Sequence, residues 1–153
     1  MNFRDKAAVF LATGFYVGNI PFAPGTFGTL IGLPLSFLLA GLPLSAAMVA
    51  AVIIIGLAVR IAGAAARTFE RKDPGCIVID EIAGMVVTLI VLPFNIASVM
   101  TGFILFRILV ILKPFPIRVL DNRLSGGLGT VADDVAAGIF ANILIRILYN
   151  IFR

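Results

Sequence analysis

The chain has 153 residues, of which 61% are hydrophobic and only 13% are charged, and its formal net charge is +4. A soluble domain is typically about half apolar and about a quarter charged, so this composition excludes a water-soluble globule and indicates an integral membrane protein. The net positive charge suits binding to anionic lipid head groups rather than to nucleic acid, because the sequence shows no stripe of basic and aromatic residues.

The amino terminus predicts a helix that lies at the membrane surface. Its charged tip, with Arg4 and Lys6, precedes an apolar run that Gly14, Gly18 and Pro21 interrupt. No small-x-small cleavage site follows, so a mature first helix is favoured over a cleaved signal peptide.

Five apolar stretches follow along the chain. They cover residues 27–40, 45–66, 82–92, 96–112 and 135–152. A membrane span takes about 20 residues, and several stretches are shorter, so some helices should be tilted or partial. No alternation with a period of two is sustained, which argues against strands. We therefore predict one all-α domain, residues 1–153, that forms an integral membrane bundle of four or five membrane helices plus the amino-terminal interfacial helix.

The connections between the stretches alternate in charge. Residues 41–44 and 93–95 are uncharged, whereas residues 67–79 and 113–131 hold most of the charge. If each stretch crosses the membrane once, the charged connections and the amino terminus share one side. That side carries Arg4, Lys6, Arg67, Arg71, Lys72, Lys113, Arg118 and Arg123, and the other carries Arg153, with Arg146 nearby. The positive-inside rule then places the charged side in the cytoplasm.

Two pairs of adjacent acids, Asp80–Glu81 and Asp133–Asp134, each stand at the predicted start of an apolar helix. A helix amino terminus favours negative charge, but capping explains one acid per helix better than two, since adjacent helical residues point about 100° apart. Brought together, the pairs would repel one another unless a cation lay between them. Carboxylate oxygens suit Mg²⁺, with Mn²⁺ as a substitute, and a chain without histidine argues against zinc. We therefore predict that all four acids are catalytic and bind the metal.

Basic residues adjoin the second acid pair. The segment "KPFPIR" places Lys113 and Arg118 on a strap that its two prolines should hold extended. Arg107 lies near the same end of the preceding helix. These three side chains are the predicted ligands of a substrate phosphate.

Two further segments each allow two interpretations. Gly127 and Gly129 in "LSGGLGT" either present backbone N–H groups to a phosphate or simply form a turn. Thr26 and Thr29 in "APGTFGTL" either cap a helix or point their hydroxyls at the phosphate.

Carboxylates, cationic side chains and glycine-rich backbone at one membrane face together suit a phosphate ester, whose phosphoryl oxygens a metal would polarise while it activates water. Without histidine no phosphohistidine can form, Cys76 lacks the arginine of a cysteine-phosphatase loop, and no D-x-D stretch offers an aspartyl nucleophile. Two alternatives stay open: a small cation transporter or channel subunit, and an assembly subunit whose charged loops hold a partner. A cation pathway would need polar residues along the depth of the membrane, whereas these acids cluster at one face.

Four segments resemble the signature sequences of the bacterial phosphatidylglycerophosphatase A family. They are "APGTFGTL", "KDPGCIVIDEIAGM", "FRILVILKPFPIRVLD" and "GGLGTVADDVAAG". The resemblance implies a Mg²⁺-dependent enzyme of the bacterial inner membrane, with its active site facing the cytoplasm. It would convert phosphatidylglycerophosphate to phosphatidylglycerol and inorganic phosphate in glycerophospholipid biosynthesis.

The same resemblance implies site residues. The acidic motif positions of the family correspond to Asp80, Glu81, Asp121, Asp133 and Asp134, and its basic strap to Lys113 and Arg118. The chain departs from the family pattern where tryptophan or histidine often stands, at Phe115, Val119 and Ser125.

Overall fold

The computed structural model describes residues 2–70 and 74–152, and every regular element within those residues is helical. The α-helices are α1 (Phe3–Ala12), α2 (Pro24–Ala40), α3 (Leu44–Thr68), α4 (Ile79–Leu89), α5 (Ile96–Leu112), α6 (Ile117–Arg123) and α7 (Gly126–Ile151), with a 3₁₀ turn at Val17–Asn19. The all-α prediction is confirmed. Arg71, Lys72 and Arg153, on which the topology prediction partly depends, lie outside the described residues.

The predicted four or five membrane helices are not confirmed. Among the described residues, α3 is long and apolar enough to cross a membrane, and a second span is present if α5 and α6, bent by 51° at their break, count as one. Helix α2 is apolar but has 17 residues, and α4 has 11. Helix α7 has 26 residues, but its glycines and charged residues lower its hydropathy.

Helix α4 lies at the centre of the helices, against α2, α3, α5 and α7. Its residues 83–89 are all buried. Two glycines allow α7 to approach closely. A Cβ atom on Gly84 would lie 2.9 Å from the carbonyl oxygen of Asp134, and one on Gly138 would lie 2.5 Å from the carbonyl oxygen of Gly84. This contact brings the first turn of α4 beside the third turn of α7, which is where the acids lie.

Side chains from α7 satisfy the carbonyl groups at the other end of α4. The Nδ2 atom of Asn142 donates to the carbonyl oxygens of Thr88 and Ile90, both at 2.9 Å. Arg146 donates from Nη2 to the carbonyl oxygen of Val91 at 3.0 Å and from Nε to Oδ1 of Asn142 at 2.8 Å. The last carbonyls of a helix have no partner within the helix, so Asn142 and Arg146 explain how α4 can end inside the bundle.

Replacing Asn142 by leucine should destabilise the protein without altering the site at the other end of α4. The substitution leaves carbonyl oxygens without a donor, and a buried polar group that loses its partner costs about 1–3 kcal/mol. We expect a lower midpoint of thermal unfolding in detergent. Asn150→Leu is the control, because Asn150 is exposed on the same helix. Equal midpoints for the two variants would show that the Asn142 hydrogen bonds do not stabilise the fold.

Candidate active site

The first turn of α4 carries two acids, as predicted. Asp80 and Glu81 follow the helix-capping position, Val78, which has no side-chain cap. Oδ1 of Asp80 accepts a hydrogen bond from the backbone N–H of Glu81 at 3.0 Å. The exposed backbone N–H groups of a first helical turn stabilise negative charge. Capping alone does not explain the pair, because the side chain of Asp80 is largely buried.

A third acid, Asp134 of α7, completes a compact group. Asp80, Glu81 and Asp134 each offer one carboxylate oxygen, and these oxygens all lie within 4.8 Å of one another. The prediction that Asp80 and Asp134 lie at the same end of the bundle is therefore confirmed. We call Asp80, Glu81 and Asp134 the three-acid group.

The three-acid group fits a divalent cation. Oδ2 of Asp134 is buried and has no hydrogen-bond partner among the described residues. Burial, followed by the neighbouring charges of Glu81 and Asp134, raises the pKa of Asp80 well above its usual value. Both features describe carboxylates that lack a positive partner. A hard cation such as Mg²⁺, which prefers oxygen ligands, would supply one.

Asp133 lies apart from the three-acid group, although all four acids were predicted to bind the metal together. Its Oδ2 is 2.7 Å from Nζ of Lys113, and the same Nζ is 3.1 Å from Oδ1 of Asp121. Neighbouring residues of a helix point about 100° apart, so Asp134 faces α4 while Asp133 faces the end of α5. The second acid pair is thus divided between a candidate metal site and a lysine.

Lys113 is held at the site from the carboxyl end of α5. Its backbone is left-handed, with φ 44°, at the position that ends the helix. Burial disfavours the charged form, but the hydrogen bonds and charges of Asp133 and Asp121 outweigh it and raise the pKa of Lys113 above its usual value. The lysine is therefore a fixed positive charge at neutral pH.

Arg107 pairs with an acid rather than facing open space. Its Nη1 lies 3.8 Å from Oε1 of Glu81, and both side chains are largely buried. The two residues come from α5 and α4. We infer that the first task of Arg107 is to hold Glu81, not to bind phosphate as predicted.

The "APGTFGTL" segment meets the site through a glycine, not through its threonines. Helix α2 begins at Pro24 after Ala23, so neither Thr26 nor Thr29 is the capping residue. Thr29 is fully buried, and its hydroxyl donates to the carbonyl oxygen of Gly25 at 2.8 Å. Thr26 does not line the cavity at the acids. Neither predicted role for these threonines is supported, whereas Gly25 contacts both Glu81 and Arg107.

The strap is not extended as predicted, and Arg118 does not line the cavity at the acids. Lys113 has left-handed backbone, residues 115–116 form a turn, and helix α6 begins at Ile117. Arg118 lies in the first turn of α6, where it is exposed, and it forms none of the ion pairs found among the described residues. Phosphate binding by Arg118 gains no support from this position and stays a prediction.

The glycine-rich segment forms the first turn of α7 rather than a loop before it. The backbone N–H of Gly129 donates to the carbonyl oxygen of Ser125 at 3.3 Å, so it is not directed at a ligand. Gly127 packs tightly against α3, where a Cβ atom would overlap the carbonyl oxygen of Val59. The N–H of Gly129 is thus used within the helix and Gly127 serves helix packing, while phosphate binding by this segment stays a prediction.

A cavity of about 160 Å³ opens beside the acids. Its charged lining consists of Asp80, Glu81, Lys113, Asp121, Asp133 and Asp134, and the rest is Gly75, Ile77, Val110, Leu124, Gly126, Gly129 and Thr130. One wall is therefore the three-acid group and another is the lysine with its two acids. Three residues at the site were not predicted from the sequence, although each lies in one of the quoted segments: Gly25, Gly75 and Thr130.

Comparison with known proteins gives a consistent result. The family model described as phosphatidylglycerophosphatase A matches residues 10–149. Phosphatidylglycerophosphatase A of Escherichia coli strain K12 is 39% identical over 132 residues, which are 86% of this chain and 77% of that protein. The protein of the same name from Haemophilus influenzae is 36% identical over 137 residues, 88% of this chain and 84% of its own length.

A relative from Bacteroides thetaiotaomicron has a different name, "Putative phosphatidylinositol-3-phosphatase". It is 36% identical over 146 residues, which are 91% of either chain. No solved structure gives a significant match to this chain. The relatives share a phosphate group on a glycerolipid as the named target, while the head group differs.

Proposed function

The chain belongs to the phosphatidylglycerophosphatase A family, and from this membership we propose that it hydrolyses phosphatidylglycerophosphate to phosphatidylglycerol and inorganic phosphate. The family match confirms the resemblance drawn from the four sequence segments. The observation that carries the proposal to individual residues is the three-acid group, which faces Lys113 across one cavity.

Asp80, Glu81 and Asp134 would hold the metal ion, which we propose to be Mg²⁺ with Mn²⁺ as a substitute. When bound, such an ion would supply Lewis-acid polarisation of phosphoryl oxygens and activation of a water molecule. Oxygen ligands without histidine or cysteine support this choice of metal. The unpartnered Oδ2 of Asp134 supports the position.

Lys113 would bind the oxygens of the scissile phosphate. Among the residues that the structure describes, it is the one basic side chain that lines the cavity, and a compact ammonium group suits a phosphate as a point charge. Asp133 and Asp121 hold it in place from two sides before substrate arrives. Placing the positive charge in advance means that little reorganisation is needed when negative charge develops on the phosphate.

We propose that the site lies at the cytoplasmic face of the bacterial inner membrane. Helix α3 carries its large apolar side chains on the outside, with Met48, Val49, Val52, Ile53 and Leu57 between 47% and 67% exposed. A water-exposed surface of this kind is unfavourable, whereas lipid would cover it. Gly63, near the carboxyl end of α3, packs on Gly127 at the start of α7, so the end with Arg67 is the end nearer the acids.

The cation-pathway alternative gains no support from the fold. The acids of the site lie together at one end of α4 and α7. Two polar residues lie farther along α7, Asn142 and Arg146. Both donate hydrogen bonds to carbonyl oxygens at the carboxyl end of α4. The described residues thus show no line of acids through the bundle.

Phosphate release by the purified protein in detergent tests the proposed function. We expect release from phosphatidylglycerophosphate in the presence of Mg²⁺ and none after chelation. Phosphatidylinositol 3-phosphate, chosen because of the Bacteroides relative, and phosphatidic acid should be slower substrates. Faster hydrolysis of either one would change the proposed substrate, and no hydrolysis of any would contradict the function.

A glycerol phosphate without acyl chains should be a poor substrate. The acyl chains keep the lipid in the membrane, and lifting it into water would cost about 0.8 kcal/mol for each exposed CH₂ group. A site at the membrane edge avoids this cost but gains nothing from a soluble molecule, which is not concentrated there. We expect a much lower kcat/KM for glycerol 3-phosphate than for the lipid. Equal values would show that the membrane position is irrelevant to catalysis.

A further inference from the structure

Gly25, in the first turn of α2, lies directly against the side chain of Glu81. A Cβ atom on Gly25 would overlap Oε1 of Glu81 and would lie 3.2 Å from its Cδ and 2.9 Å from Nη1 of Arg107. Neither neighbour can easily move away, because the Glu81 and Arg107 side chains are only 14% and 17% exposed. Any side chain at position 25 would therefore compete with the Glu81 carboxylate for the same space.

Backbone conformation does not explain this glycine. Gly25 is helical, and its φ is outside the positive range that other residues avoid. Alanine would be a better helix former at this position. Glycine is therefore required here by the close approach of α2 to α4. The side chain that α2 approaches is Glu81, an acid of the candidate site.

Glu81 has the longest side chain of the three-acid group and so the most freedom to leave it. Arg107 attracts its carboxylate from α5, at 3.8 Å, which is longer than a hydrogen bond. The start of α2 lies beside this ion pair, because a Cβ atom on Gly25 would contact both Glu81 and Arg107, and the amino end of a helix carries partial positive charge. Arg107 and the amino end of α2 together thus border the Glu81 carboxylate, which also belongs to the three-acid group.

We propose that Gly25 is a positioning residue, whose missing side chain lets the amino end of α2 hold the Glu81 carboxylate in the three-acid group. The proposal rests on the proposed function in one respect, the binding of a divalent cation by that group. Gly25 itself contacts neither the cation nor the substrate.

Mn²⁺ binding by Gly25→Ala tests the proposal with a readout other than activity. Free Mn²⁺ can be measured by electron paramagnetic resonance during titration of the full-length protein in detergent. Partners that orient a metal ligand typically contribute about 10–100-fold to affinity, so we expect the dissociation constant to rise at least about tenfold. Gly56→Ala is the control, because it adds the same methyl group in a helix with no atom within 4 Å, and its Mn²⁺ affinity should match the parent's.

A second variant separates positioning from general disruption of the fold. Glu81→Asp withdraws the carboxylate by one CH₂ group and makes room for a methyl group at position 25. The double variant Gly25→Ala/Glu81→Asp should therefore lose less affinity than the product of the two single effects, which is the signature of residues that interact. If Gly25→Ala alone folds poorly, thermal unfolding replaces the affinity measurement. The double variant should then unfold at a midpoint closer to that of the parent than Gly25→Ala does.

The outcomes distinguish this proposal from the proposed function. If the parent binds Mn²⁺ and releases phosphate but Gly25→Ala binds equally well, Gly25 has no positioning role and the function stands. Independent effects in the double variant would also overturn the positioning role. If the parent binds no Mn²⁺ and its activity does not depend on metal, the positioning role and the proposed metal site both fail, while hydrolysis of the lipid stands.

Discussion

Replacing Asp134 by asparagine should abolish phosphate release from the lipid while the protein still folds. The amide keeps the size of the side chain but removes a negative charge from the three-acid group. A metal ion contributes several kcal/mol of transition-state stabilisation, and about 1.4 kcal/mol corresponds to a factor of ten in rate. We therefore expect kcat/KM to fall at least about 1,000-fold, measured as inorganic phosphate released from phosphatidylglycerophosphate.

Thermal unfolding provides the control for Asp134→Asn. A ligand that binds the folded state alone raises the midpoint, so Mg²⁺ should stabilise the parent and not the variant. Without Mg²⁺ the variant should unfold at a higher temperature than the parent, because repulsion within the three-acid group is reduced. Glu70→Gln, at an exposed acid that does not line the cavity, should behave as the parent does. An Asp134→Asn protein with near-parental kcat/KM would contradict the metal site.

Replacing Lys113 by glutamine should lower kcat/KM about 100-fold or more. Removing one group that stabilises the charge of a transition state typically costs 10²–10³ in rate, by order of magnitude. The variant should still gain thermal stability from Mg²⁺, because Lys113 contacts Asp133 and Asp121 and not the three-acid group. Loss of activity with retained metal binding is the pattern that assigns Lys113 to the substrate.

Two further variants check the reason for the effect at Lys113. Lys113→Gln leaves Asp133 buried without its cation, which destabilises the fold. Adding Asp133→Asn should restore the thermal midpoint without restoring activity. Arg118→Gln should change kcat/KM little, because Arg118 is exposed and does not line the cavity. A loss at Arg118 as large as the loss at Lys113 would support the original sequence prediction instead.

The sequence predicted several helices well because their limits are local. Helix α5 has the predicted bounds, residues 96–112, since Asn95 caps it by accepting from the N–H of Ser98 at 2.8 Å. Lys113 then precedes a proline, which stops the helix. The two acids of α4 were also predicted in the correct helical turn, because the amino end of a helix favours negative charge.

The start of α7 was not predictable from local preference. Residues 126–134 contain three glycines and two acids and resemble a loop, yet the helix begins at Gly126. Gly127 is needed for packing on α3, because a Cβ atom there would overlap the carbonyl oxygen of Val59, and Gly129 approaches the carbonyl group of Leu124 closely. Tertiary contact thus overrides the low helix propensity of glycine. This error placed Asp133 and Asp134 at a helix end, although they lie in the third turn.

The role of each charged residue also depends on which residues lie beside it in the fold, and the sequence does not specify these contacts. Adjacent residues of a helix point about 100° apart, so they can share a site, as Asp80 and Glu81 do, or separate, as Asp133 and Asp134 do. Asp133 pairs instead with Lys113 at the end of α5. Gly25 is a similar case, because its importance comes from the approach of α2 to Glu81.

The most direct test of the site is the position of Mn²⁺ in crystals of the protein, located by anomalous scattering. We predict a peak within coordination distance of carboxylate oxygens from Asp80, Glu81 and Asp134, with Asp133 still paired to Lys113. A peak bound by Asp133 in place of these acids would contradict the assignment of the ligands. Crystals of the Mn²⁺-treated protein with no anomalous peak at the three-acid group would contradict the metal site itself.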